Sequence, residues 1–191
     1  MLEKEEALIS WVKRNKRLFE KSCLESVRER TEKGFVVCRS DHEMQVGGTC
    51  EGTHCSVFLE DCGGKEQVAT FHTHPGRSLP TLADVAFGGP YLIIGGILDR
   101  KLKVYRANTD HPSVRKLKEG SDRFNQTLEE YWEGLEGWAG LPMPLGVRRK
   151  LRALGRRLNK WKKKLTEMAE DWAPPSSYVE LYSDDIWQGG T

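Results

Sequence analysis

The chain has 191 residues, of which 30% are charged, with a formal net charge of +2 and a mean hydropathy of −0.60. This length allows one ordinary domain with an extension, and no apolar run is long enough to span a bilayer. Residues 1–6 lack a basic stretch followed by an apolar core, so no signal peptide is expected and a cytoplasmic setting is the default.

Residues 3–30 are predicted to be one helix. Leu8, Val12, Phe19, Cys23 and Val27 recur at helical spacing, and Trp11 and Leu18 widen the stripe. Such a stripe reads as packing against a sheet. Strands follow. Residues 34–38 form a buried-strand run, and residues 44–46 a short strand ending at Gly47-Gly48. Residues 56–59 and 67–71 are the next two. No internal repeat is visible.

All five cysteines lie in the first third of the chain: Cys23, Cys38, Cys50, Cys55 and Cys62. Cys23 and Cys38 fall on the helix stripe and on a strand, where packing explains them. Cys50, Cys55 and Cys62, with His54 between them, leave three readings open. They are buried thiols, or a disulfide, or ligands of a second, structural zinc. No Cys-x-x-Cys spacing is present to favour the last.

The run from Phe71 to Asp84 carries the clearest chemistry. His72 and His74 are one residue apart on an extended segment, so both imidazoles face one side. Pro75 ends the pairing, and Gly76 and Pro80 make a loop. Thr81 is placed to N-cap a short helix over residues 82–86. Asp84 then lies in its first turn and can reach back to the imidazoles. Two imidazole nitrogens and a carboxylate are a three-ligand set for Zn²⁺, with a fourth position for water.

His72-Thr73-His74-Pro75 followed by Thr81-x-x-Asp84 resembles the signature of the JAMM (JAB/MPN+) zinc metalloproteases. In that signature a Ser stands where this chain has Thr81, and the loop is one residue longer. The resemblance covers roughly residues 32–106. It implies an α/β fold of JAB/MPN type (cytidine-deaminase-like), a mixed sheet with flanking helices. It implies hydrolysis of an amide bond after the C-terminus of a ubiquitin-like or sulfur-carrier protein. The family also needs a glutamate just ahead of a hydrophobic strand, which acts on the attacking water. Glu32 fits that placement, with Glu29 and Glu43 as alternatives. Thr81 would then donate to the oxyanion.

Downstream of the motif, residues 91–98 are the most hydrophobic stretch and should be a central strand. Residues 101–106, with alternating bases, suit an edge strand. Ser113 is placed to cap a helix running to residue 136, and Gly and Pro mark residues 137–146 as a linker. The chain thus divides into a catalytic domain over 1–136, the linker, and a basic helix with an acidic tail over 147–191.

Residues 147–165 hold ten basic side chains and no acid, whereas residues 167–185 hold six acids and no base. Residues 1–146 are left at −2. Within the basic run Val147, Leu151, Leu154, Leu158, Trp161 and Leu165 step by four and three, a heptad seam continued by Met168. The seam has several possible destinations: its own domain, a homodimer, or a partner's helix through residues 147–168. The basic flanks also suit nucleic acid or an anionic membrane surface, unless the acidic tail folds over them. Two alternatives to an enzyme therefore stand: a JAMM-fold scaffold without catalysis, and a nucleic-acid-associated protein acting through the basic helix.

Overall fold

The computed structural model describes residues 2–41, 43–52, 62–139 and 141–187. Among these, helices α1 (Leu2–Arg14) and α2 (Lys16–Glu29) precede strands β1 (Glu32–Ser40), β2 (Glu43–Gly52) and β3 (Glu66–His74). Helix α3 (Leu82–Phe87), strands β4 (Tyr91–Gly96) and β5 (Lys101–Ala107) and helices α4 (Pro112–Glu136) and α5 (Leu145–Glu170) follow. A short 3-10 turn leads into β6 (Tyr178–Asp185). The strands form one mixed sheet in the order β2-β1-β3-β4-β5-β6. Only the central pair β3–β4 is parallel. A parallel pair needs a crossover, and α3 with its approach loop supplies it.

Alternation along the strands sorts their side chains onto two faces. Phe35, Val37, Phe71, Ile93 and Val104 point toward α1 and α2, where they meet Leu8, Trp11, Val12 and Phe19. Leu92, Ile94 and Tyr105 point the other way and pack under α3, α4 and Val114 and Leu117. Every side chain of β4 is buried, as its continuous apolar sequence anticipates for a strand covered on both faces. At the edge of the first layer Glu5 is buried, and it accepts from Arg106 Nη1 at 2.8 Å and from the Tyr91 hydroxyl at 3.4 Å. This pair ties α1 to β4 and β5.

Several expectations are corrected. The first helix is two helices. Asn15 turns back on the end of α1, its side-chain amide donating to the Trp11 carbonyl at 2.8 Å and its own N–H reaching the Trp11 and Val12 carbonyls. The buried side of α2 is Phe19, Cys23 and Ser26, so Ser26 takes the place in the stripe read for Val27, which is half exposed. The strand read as residues 44–46 runs through Gly47-Gly48 to Gly52, held by its register with β1. The strand at 56–59 lies outside the described residues. β5 is not an edge, because β6 pairs with it along its whole length. His111, not Ser113, caps α4: its Nδ1 accepts the Ser113 N–H at 3.2 Å.

The cysteine expectations also change. Cys38 on β1 is bonded to Cys62, with Cα atoms 5.6 Å apart, and the pair packs with Val36. Cys50 is disulfide-bonded as well, while Cys55 lies outside the described residues. Among the described residues no cysteine joins a group able to hold a metal. Cys23 is a free, buried thiol, and burial, with Glu20 adding to it, pushes its pKa up to about 12. The Cys38–Cys62 bond closes a span of 24 residues, for which loop-closure entropy gives about 3 kcal/mol. Replacing both with Ala should therefore lower stability by about that amount, read from urea denaturation with each slope fitted, since the freed unfolded chain exposes more surface and steepens it.

The heptad seam of α5 docks on α4, with Leu151 and Leu158 buried. The glycines of α4 are part of the reason. A side chain at Gly120 would meet Leu165 at 2.7 Å, and one at Gly134 would meet Leu151 at 2.9 Å. The acidic tail does not fold over the basic helix. Glu167 and Glu170 fall in the last turn of α5, and the later part of the tail becomes β6, where Glu180 and Asp185 pair with Lys103 and Lys101 of β5, and Asp184 pairs with Lys16 of α2.

Candidate metal centre

The site lies where β3 and β4 end together. His72 and His74 close β3 and face the α3 side of the sheet. Thr73 between them points away, as strand alternation requires. Its hydroxyl donates to Ser26 Oγ at 2.9 Å and accepts the Lys33 N–H at 3.0 Å. This buried pair anchors the histidine strand to α2 and β1. Nothing in the sequence singled out Ser26, although a Thr forced to the opposite face from two functional histidines was a usable hint.

The loop from Pro75 to Pro80 continues along β4. The Ile97 N–H donates to the His74 carbonyl and the Leu98 N–H to the Gly76 carbonyl, both at 2.9 Å. Ser78 is fully buried. Asp99 Oδ2 accepts from its N–H at 2.9 Å and its hydroxyl at 2.8 Å, and the Tyr105 hydroxyl donates to its carbonyl at 2.5 Å. The loop is thus fastened to the sheet at its midpoint, and its shortness does not keep α3 from the histidines.

Thr81 caps α3 in a reciprocal box. Its hydroxyl accepts the Asp84 N–H at 3.3 Å, and Asp84 Oδ2 accepts the Thr81 N–H at 2.6 Å. The box fixes the rotamer that turns Asp84 to the imidazoles. Asp84 Oδ1 is 3.0 Å from His72 Nε2, Oδ2 is 3.4 Å from His74 Nε2, and the two Nε2 atoms are 2.8 Å apart. Three atoms bound to one tetrahedral zinc at ordinary lengths stand about 3.3 Å apart. The observed separations, taken over both carboxylate oxygens, are of that size, so the residues present fit a small divalent ion.

The carboxylate and the imidazoles interact strongly. Burial alone would raise the Asp84 carboxyl, but the charge of His72 and hydrogen bonds from both imidazoles hold it well below the usual carboxylate range. Burial would lower His72, but Asp84 outweighs it and raises the pKa, with a smaller contribution from Glu32. Asp84 therefore stays ionised, and a metal here would take the place of the proton that it favours on His72.

Glu32 opens β1. Gly34 of β1 stands opposite His72, so Glu32, two residues back, is on the same face. Its charge is felt at His72. Of the alternatives, Glu29 is an exposed partner of Lys33, and Glu43 opens β2 opposite Ser40, at the end of β1 away from Glu32.

One neighbour was not anticipated. After α5 the chain passes the site, and residues 171–173 are stitched to the α3 approach. The Leu82 N–H donates to the Asp171 carbonyl at 2.8 Å and the Ala173 N–H to the Pro80 carbonyl at 3.0 Å. This bridge sets Trp172 beside Thr81, with its ring centroid 6.4 Å from that of His74 and more than half of its surface exposed. No sequence signal linked position 172 to a motif ninety residues earlier.

No helix among the described residues is long and apolar enough to cross a membrane. No family model, curated protein or solved structure matches the chain.

Proposed function

We propose that the protein is a zinc-dependent amide hydrolase of JAMM type, built on a JAB/MPN-type (cytidine-deaminase-like) fold. Its substrate is an isopeptide or peptide bond that follows the C-terminus of a ubiquitin-like or sulfur-carrier protein. The observation that carries this reading is the convergence of His72, His74 and Asp84 on one metal-sized point, with a glutamate on the same face. Two imidazoles and a carboxylate suit zinc and leave a position open, as catalytic sites do.

When bound, zinc supplies a Lewis acid for the amide carbonyl and brings the pKa of water toward neutrality. The protein's own groups do the rest. Glu32 accepts the proton released by the attacking water and returns it to the leaving amine. The Thr81 hydroxyl uses a lone pair in the cap, so its proton is left to donate to the oxygen on which negative charge develops. Asp84 is held by the cap and Thr73 by Ser26, so the ligands are positioned before metal arrives.

Trp172 is an exposed aromatic wall beside the reacting position. Trp172→Ala should raise KM for a protein substrate several-fold while metal content stays at the wild-type value, as measured by steady-state kinetics beside elemental analysis.

The reading as a whole is tested by zinc content and cleavage together. The wild-type protein should carry about one zinc per chain, and His74→Ala none. Cleavage of a fluorogenic amide fused to the C-terminus of a ubiquitin-like protein should stop with a chelator and return with zinc. A protein that binds zinc through His74 yet cleaves no such fusion would be a scaffold. One that binds no metal after reconstitution would end the proposal.

A further inference from the structure

The charge segregation of the C-terminal third acquires a meaning once the acidic tail is placed. All ten Lys and Arg side chains between positions 148 and 164 are exposed on α5. Among the described residues one ion pair lies on that helix, Lys163 with Glu167 at 3.9 Å, and both partners are exposed. Of the other acids of the tail, Glu180 and Asp185 are engaged on β5 and Asp184 on α2, while Glu170 and Asp171 sit at the C-terminal end of α5, past the last base of the run. α4, against which α5 packs, carries four bases and six acids, yet none of those acids pairs with α5 among the described residues. The field of α5 is therefore left without close internal neutralisation.

Its distribution is distinctive. At 100° per residue the ten cations cover roughly 240° of the helix circumference, and the remaining sector is the apolar seam seated on α4. Over its 1.5 Å rise per residue the charged run is about 25 Å long, most of one turn of duplex.

We propose that the exposed face of α5 binds the phosphate backbone of a nucleic-acid duplex. A membrane surface fits less well. Helices that lie in an interface bury an apolar face among the lipids, and here that face already meets α4. Cations spread around a helix also reach both walls of a groove wide enough to admit it, whereas a flat anionic surface would meet only a fraction of them. The charged run holds a single aromatic, Trp161, and Arg157 covers its ring at 4.9 Å. The binding is accordingly electrostatic and indifferent to sequence.

The test uses the full chain and fluorescent 24-base-pair duplexes of DNA and of RNA, with anisotropy read from 50 to 200 mM salt. Binding should weaken steeply with salt, with a log–log slope of about −4 or steeper, because each phosphate neutralised contributes about −0.9. The triple variant Arg149→Glu, Arg156→Glu, Lys160→Glu changes the middle of the exposed face. It should lose at least 30-fold in affinity at 100 mM salt and flatten the slope by about three. Its thermal midpoint and zinc content should match the wild type, since all three side chains are exposed. Comparable affinity for both duplexes supports backbone recognition in general, and a preference for one identifies the source. Three results would overturn the proposal. They are no binding to either duplex at 50 mM salt, binding that the triple variant leaves intact, or equal or tighter binding to phosphatidylserine vesicles or polyglutamate. Each is independent of whether the metal centre cleaves amides.

Discussion

Replacing Glu32 with Gln should leave zinc content and thermal midpoint as in the wild type and reduce amide hydrolysis by about 10²–10⁴-fold. Gln is nearly isosteric and keeps the hydrogen-bonding capacity of the end of β1, but it cannot take a proton from water. The paired measurements separate a proton-transfer role from a structural one. A structural glutamate would lower the midpoint or the metal content together with the rate. A rate within a few-fold of wild type would remove Glu32 from the mechanism. His72→Ala makes the useful contrast, because it should lose metal and rate together. The same substitution at Glu29, an exposed ion-pair partner of Lys33, should change the rate little.

The second large effect is expected at Gly96, which touches no substrate. It stands beside His74 in the β3–β4 register, and the Ser78 loop presses directly on it. A Cβ there would lie 2.1 Å from Asp99 Oδ1, 2.3 Å from the Ser78 nitrogen and 2.8 Å from the Arg77 carbonyl carbon. Two of these are backbone atoms, which cannot swing aside as a side-chain tip can. Gly96→Ala should therefore cost about 3 kcal/mol, the upper end of ordinary overpacking, and loosen the loop that holds Asp84 against the histidines. Chemical denaturation and zinc affinity should both fall. Gly76→Ala, in the same loop, is the control: nothing lies within 4 Å of its added carbon, and it should be close to neutral in both measurements.

The cluster of His72, His74 and Asp84 was legible in the sequence because its geometry is local. Strand alternation puts His72 and His74 on one face, and a hydroxyl residue three before an acid writes the capping box of Thr81 and Asp84. The choice of Glu32 rested only on the resemblance, since one glutamate ahead of an apolar strand has no distinctive pattern of its own; the structure places it on the face of His72. The break at Asn15 was hidden because the apolar stripe continues across it, and only the hydrogen bonds of Asn15 back to Trp11 and Val12 mark it. β6 was hidden because it is acidic. Its strand character comes from the lysines of β5 opposite it, a complementarity visible only when the two segments are seen side by side. The Cys38–Cys62 bond and the approach of Trp172 depend on distances in space between residues far apart in the chain, which no local rule supplies.

The α4–α5 hairpin also bears on the order in which the molecule forms. Ala107 pairs with Tyr178, so the last strand must find its place across about 70 intervening residues. An open loop of that length would carry an appreciable closure entropy and slow the pairing. The two helices pack antiparallel from neighbouring sequence and can associate early, as local contacts do. Once joined, they return the chain from the end of α5 to the start of α4, beside β5, and leave only residues 171–177 to bridge the gap. The hairpin thereby turns a distant encounter into a short one. The same short bridge carries Trp172, so the wall of the metal site and the sixth strand should arrive in a single late step of folding.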